Sequence, residues 1–426
     1  MTEKPTKGIG PKLSLFSATI VHCSVEIPFF IFPVVLLLVG KDLFPVESAL
    51  TWIGLGALGT VGTLAAGLPS PFFGKLADKY RRSTLMFVSL ILAASGSLGV
   101  GLFGESFVVM FVCVILMGLG LALYHPAGLS WISTIFEDPK THAFSNKYVR
   151  ILALHGIGGS TGASIGPLSV YFLINTTGWR SIYLYWSFPL ILLAVLFWIL
   201  IGRFEQSVDC SEFSPSEENI PIKKENNKII SNWSQYSVII LIFSFITVMS
   251  LTRGMVNFIL SPFLSEVKNI EIATAALFIG LSTLIGSTAQ ILGGFFGDKY
   301  GERLMLQISA FLQIFALVGI FIIFVKEVIF LLYVLLGMIN ALFWPSTNSL
   351  VAKNSRTERG KAFGWVMLVA NLIGALGPSI DGFLRGIDPN QYLLIFGFSI
   401  VFSLCGFIFL IFLNTSSTKN TTKNFI

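Results

Sequence analysis

Charge is scarce in this sequence: Asp, Glu, Lys and Arg together make up 12% of 426 residues, about half the share in ordinary soluble domains. That scarcity excludes a solvated globular surface wrapped around one core. Cysteine is scarcer still, with four residues, Cys23, Cys113, Cys210 and Cys405. They are widely spaced and three of them lie inside apolar stretches, which excludes a disulfide framework and a cysteine-based metal centre. Walker loops, CxxC pairs and H-E-x-x-H motifs are all missing. ATP-driven pumping and hydrolysis therefore have no residues to carry them, and the expectation is a non-enzyme with no cofactor and no metal. No small-residue cleavage site follows the apolar run from Leu13 to Gly40, which is also too long for a signal peptide and reads as a membrane helix.

What the chain has instead is apolar bulk: 54% hydrophobic residues, with 40 Phe, 8 Trp and 40 Gly. Apolar segments long enough to cross about 30 Å of hydrocarbon fall near residues 13–40, 49–73, 83–104, 107–136, 145–174 and 181–201. Six more lie near 235–264, 272–296, 304–325, 328–352, 361–386 and 391–413. An even number puts both termini on one side. The loops on that side, with the tails, hold 22 Lys and Arg against five on the other, Lys41, Arg180, Lys268, Lys326 and Arg385. Positive charge is retained in the cytoplasm, so both termini are expected there, in the cell membrane. The same asymmetry accounts for the net charge of +6 without nucleic acid. The polar stretch from Gly202 to Asn232 divides the chain, giving an expected six-helix bundle over 1–201, a cytoplasmic linker over 202–234 and a second bundle with a short tail over 235–426.

The two halves repeat one another. GKLADKYRR (Gly74 to Arg82) and GFFGDKYGER (Gly294 to Arg303) sit after the second and eighth segments, 220 residues apart. Gly118-x3-Ala122-Leu123-Tyr124-His125-Pro126 matches Gly337-x3-Ala341-Leu342-Phe343-Trp344-Pro345, and Gly166-Pro167 matches Gly377-Pro378. Three matches in the same order imply halves of like topology related by an axis along the membrane normal. With these loops the sequence resembles the major facilitator superfamily, whose halves carry G-x3-D-[RK]-x-G-x-[RK] after their second helix. The second copy fits with Gly294, Asp298, Lys299, Gly301 and Arg303. In the first, Gly74, Asp78 and Lys79 fit, and Arg81 stands where the second Gly is expected. The resemblance implies an all-α membrane protein of twelve transmembrane helices in two pseudo-symmetric six-helix bundles. It also implies a gate at these loops, involving Gly74, Asp78, Lys79, Arg81, Arg82, Gly294, Asp298, Lys299 and Arg303. The alternative reading is basic loops that only fix topology.

Within the superfamily the chain looks most like fosmidomycin-resistance-type exporters. His22-x3-Glu26, Tyr124-His125-Pro126-Ala127-Gly128, Gly158-Gly159-x2-Gly162-x3-Gly166-Pro167, and Arg253 ahead of Phe258 and Pro262 carry that likeness. It implies export of a small toxic or anionic organic compound, and the Gly-rich fifth helix is similar to a motif of antiporters.

Glu26 falls near the middle of the first segment, where an ionised carboxylate costs roughly 3 kcal/mol on insertion scales, so it is expected to face an internal cavity. His22 stands one turn away on the same face, and the pair is the expected proton-coupling site; a structural hydrogen bond between helices is the alternative. Arg253 cannot discharge itself, so it either pairs with Glu26 or binds an anionic substrate group. His125, His155, Asn257, Trp344 and Asn371 are candidate cavity contacts, and helix-packing hydrogen bonds are the competing reading. Asp381 is a weak candidate that meets water or Arg385. The resulting expectation is a proton-coupled antiporter, a monomer in the lipid bilayer, binding a small-molecule substrate and protons. Proton symport for uptake, or a receptor that binds without transporting, are the alternatives.

Overall fold

A computed structural model describes residues 10–46, 48–136, 148–202, 232–354 and 359–412. All of its regular elements among the described residues are helices. In chain order they are α1 Pro11–Ile31, α2 Leu36–Leu43, α3 Ala49–Gly67, α4 Ser70–Lys79, α5 Arg82–Phe103, α6 Phe107–Ile135 and α7 Tyr148–Phe197, which ends in a π-helical turn, Trp198–Gly202. The second half holds α8 Asn232–Glu266, α9 Ile272–Tyr300, α10 Glu302–Ile322, α11 Lys326–Asn354, α12 Arg359–Gly374, α13 Leu376–Ile387 and α14 Tyr392–Phe412.

These helices make twelve crossings because several are halves of one another. The first crossing breaks between α1 and α2, where Pro33 lacks the N–H that would continue the ladder and its ring would collide with the carbonyl one turn back; Val34 and Val35 both bond back to Ile31 O. The second crossing is α3 with α4, interrupted at Leu68 and Pro69, and the eleventh is α12 with α13, interrupted at Ala375 just before Gly377-Pro378. In α7 the opposite happens. Its two crossings follow one another with no loop between them, parted by a kink at Gly178, whose non-helical φ of 75° is open to glycine alone at low cost.

The apolar composition partitions as a lipid solvent requires. Large side chains such as Phe172, Phe188, Leu192, Phe311 and Phe315 are exposed around the outside. Separate clusters fill the halves, one around Met86, Leu90 and Ile132, another around Phe263, Leu317 and Phe396.

The halves meet along two seams. One packs α3 and α4 against α12 and α13, and the other packs the first part of α7 against α9. Close approach along the first seam depends on missing side chains. A Cβ on Gly56 would lie 2.6 Å from Pro378 O, and one on Gly74 would lie 2.3 Å from Gly360 O. The second seam is pinned by Ser164 Oγ, which donates to Gly280 O at 2.7 Å. Between the seams lies a cavity of about 350 Å³.

Candidate functional site

The cavity is walled by both halves. The first supplies His22, Glu26, His125 and His155, and the second Arg253, Asn257, Gln290 and Asn371. α1 brings Glu26 and His22 to one face because they are one turn apart. α6 brings His125 beside them from another helix. Glu26 Oε1 is 3.3 Å from His22 Nε2 and 3.3 Å from His125 Nε2. Glu26 as a whole is 7% exposed.

Each histidine is oriented by the other side of its ring. His125 Nδ1 faces Leu121 O at 2.9 Å, and His22 Nδ1 faces His155 O at 3.4 Å. His22 is also sandwiched, stacked on Tyr124 at 5.0 Å and on His155 at 4.7 Å between ring centroids. Tyr124 is itself anchored, donating from its hydroxyl to Ala18 O at 2.6 Å. His155 is 1% exposed, and neither of its ring nitrogens has a hydrogen-bond partner. It acts on the cluster through its carbonyl and its ring face. The ligand atoms of His22, Glu26 and His125 all lie within 4.8 Å of one another, near enough to share one small cation.

The expected residues separate by position. Arg253 and Asn257 line the cavity from α8, but the described ion-pair partners of Glu26 are the two histidines. Asn371 lines it as well, with its amide donating back to Met367 O at 3.0 Å. The side chain of Trp344 lies outside the described residues. Sequence reasoning missed Gln290, which faces the cavity from α9 and donates to Gly156 O at 3.4 Å and to Ser160 Oγ across the second seam. A lone amide in an otherwise apolar stretch of α9 was the available signal.

At the end of the first seam where α4 lies, Asp78 accepts from the backbone N–H groups of Gly360 and Lys361 at 2.9 and 3.0 Å. A carboxylate of one half thus caps the first turn of α12 in the other, where free N–H groups and the helix dipole favour negative charge. Gly74 permits the approach. The basic residues of the loop point elsewhere. Arg81 donates to Gly202 O at 2.6 Å and Arg82 to Ser130 Oγ at 3.1 Å, both within the first half. In the second copy Arg303 donates to Leu410 O and Ile411 O at 3.1 and 2.8 Å. Both arginines therefore bond carbonyls at the end of the last helix of their own bundle. Lys79 is exposed, and Lys299 lies 5.0 Å from the Tyr300 ring. Beyond their helical backbone, Gly294 and Asp298 lie outside the described residues. Gly301 turns the chain with φ 90°, whereas Arg81 makes the corresponding turn at φ −59°. The two copies turn differently, which is why only one needs the glycine.

Known proteins resemble this chain in sequence and in fold. The chain is 25% identical over 267 residues to the uncharacterised MFS-type transporter YfnC of Bacillus subtilis, a match covering 62% of each chain. It is 24% identical over 261 residues to the fosmidomycin resistance protein of Escherichia coli, covering 61% of this chain and 60% of that one. The matched stretches thus span somewhat under two thirds of these relatives. The crystal structure of the human organic anion transporter MFSD10 superposes with a TM-score of 0.65 over 94% of this chain and 100% of that one, at 18% identity, a likeness of fold. The family model of the Major Facilitator Superfamily matches residues 15–326 and 242–425. Twelve crossings in two like halves, closed around a shared cavity and matched by that model from end to end, make this chain an integral multi-pass membrane protein of the major facilitator superfamily, a family of transporters.

Proposed function

We propose that this protein is a proton-coupled antiporter that exports a small organic compound by alternating access, with Glu26, His22 and His125 as the proton-binding group. One observation carries the reading: two histidine nitrogens converge on a single carboxyl oxygen. A backbone carbonyl only accepts, so each Nδ1 that faces one carries its hydrogen. In neutral rings that leaves a lone pair on each Nε2, and both are aimed at Glu26 Oε1. Three acceptors cannot face one another in a buried site without cost. The group therefore holds at least one proton, and that proton sits on side chains lining the cavity.

Arg253, with Asn257, Asn371 and Gln290, forms the facing wall and suits an anionic or amide-bearing substrate. His155 supports the proton site from behind, and Trp344 is kept as a candidate substrate contact from its position in the sequence. The fosmidomycin resistance protein's name supports export of a drug-like compound as the cargo. Asp78, with Gly74, acts as a latch between halves, and Arg81, Arg82, Lys79, Lys299 and Arg303 shape the loops around it. The bundles are taken as 1–201 and 235–426, joined by a linker over 202–234. Both termini lie in the cytoplasm of a monomer in the cell membrane, on the strength of the 22 to five division of Lys and Arg.

The test is a thermal-shift panel of small organic anions and neutral drugs on purified protein, followed by flux of each hit in proteoliposomes with an imposed pH gradient. Antiport accumulates substrate when the interior is acid. Accumulation only with an alkaline interior would establish symport instead, and binding without flux in either gradient would make the protein a receptor.

A further inference from the structure

A second group of ionisable side chains lies at the other end of the first seam, where α3 meets α13, and the proton site above makes no use of it. Asp381 on α13 is fully buried, and neither carboxyl oxygen has a hydrogen-bond partner. Its neighbour on the next turn, Arg385, is 1% exposed and already engaged. Arg385 Nη2 donates to Glu266 Oε2 at 2.5 Å, Nε donates to Pro389 O at 2.8 Å, and the guanidinium lies 3.3 Å from the centre of the Trp52 ring on the opposite half. Tyr392 donates its hydroxyl to the same Glu266 oxygen at 2.6 Å. The charges of Arg385 and Glu266 thus cancel each other.

Among the described residues, no other group is in place to balance a charge on Asp381. α3 contains no titratable residue. α8 presents Glu266 at this level, while its Arg253 lines the cavity. α14 presents Tyr392, and α12 carries Arg359 and Lys361 at its far end, beside Asp78. Beyond α13, Asp388 bonds the Asn390 N–H at 2.9 Å, and beside α3, Asp42 on α2 accepts from Trp179 Nε1 at 2.8 Å. An ionised carboxylate buried without partner or counter-charge is so costly that such groups neutralise instead.

We propose that Asp381 is a proton-binding carboxyl that is protonated while this end of the seam is closed and releases its proton when the end opens. The geometry provides the alternative arrangement. Arg385 Nη1 is buried and has no hydrogen-bond partner, one helical turn from the two partnerless oxygens of Asp381. Trp52 belongs to the other half, so parting of α3 from α13 strips the ring from the guanidinium and admits water to the carboxyl. Asp381 then ionises and takes up the spare Nη1 donor. Because the closed form binds one more proton than the open form, acid favours closure and alkali favours opening at this end. The proposal does not depend on Glu26 being the coupling site.

The experiment replaces the native cysteines, introduces spin labels through cysteines at Val108 and Val325, and follows the inter-label distance against pH by pulsed electron resonance in nanodiscs. Val108 and Val325 are exposed at this end, on opposite halves. The ratio of long to short distances is expected to rise with pH by up to about tenfold per unit through the titration, as linkage to one proton requires. Asp381→Asn should hold the short distance at every pH, and Asp381→Glu should keep a titration with a displaced midpoint. A wild-type distance that does not change with pH, or an Asp381→Asn protein that responds like wild type, would overturn the proposal. So would an Asp381→Asn protein too unstable to purify, since an amide is the nearest mimic of the protonated acid.

Discussion

Glu26→Gln tests the proton accounting most directly. The replacement keeps the shape of the side chain and one acceptor oxygen, but its nitrogen donates. An amide N–H can satisfy one of the two histidine lone pairs that converge on position 26 at 3.3 Å, so the group no longer requires an exchangeable proton. In the wild type, one proton moving down a gradient of one pH unit supplies about 1.4 kcal/mol, enough for about tenfold accumulation of an uncharged substrate. The variant should bring that ratio to about one. Exchange of labelled for unlabelled substrate needs the cavity but not the proton, and should stay within about threefold of wild type. Proteoliposomes with an acid interior measure the first quantity, and the same vesicles at uniform pH measure the second. A variant that still accumulates substrate about tenfold would show that the converging lone pairs have no part in coupling.

Asp78→Asn leaves Gly360 and Lys361 with a neutral acceptor in place of a carboxylate holding two N–H groups at 2.9 and 3.0 Å. The loss of about 1–3 kcal/mol should move the population about fivefold or more away from closure at that end, read by labelling of a cysteine that replaces Ser70, buried on this seam, while the thermal midpoint changes little. Gly301→Ala puts a Cβ on a backbone at φ 90° and should cost about 1 kcal/mol or more, lowering the thermal midpoint. Arg81→Gly, at a turn of ordinary φ, should show no such strain, and its loss of stability should match that of Arg81→Gln, which reports the bond to Gly202 O alone.

The crossings were legible because hydrocarbon thickness demands long apolar runs, and each run shows in composition. Their interruptions were not. The range 13–40 read as one span, whereas Pro33 parts α1 from α2, and the expected loop between 174 and 181 contracts in the structure to the single residue Gly178 inside α7. A proline in an apolar run is ambiguous in sequence, since neighbouring helices decide whether the helix bends or breaks. The pairing of His22 with Glu26 was legible from spacing alone. That His125 completes the group depends on how α6 packs against α1, a tertiary fact with no local signature. Arg253 was expected to pair with Glu26 or to bind a substrate anion; it lines the same cavity as Glu26, from α8. Of the linker expected over 202–234, residues 203–231 lie outside the described residues, and α8 already begins at Asn232.

The seam at Gly56, Gly74 and Gly360 carries a consequence for how this protein adapts. Where backbones touch without side chains between them, any added atom pushes two six-helix bodies apart, so those positions tolerate almost no variation. The cavity wall is under no such constraint, because its side chains point into open volume. Changes in what the protein carries are therefore expected to accumulate on α1, α6, α8 and α9 around a sliding surface that stays fixed. Drug-resistance or substrate-range variants selected in the laboratory should map to the wall and leave the seam untouched.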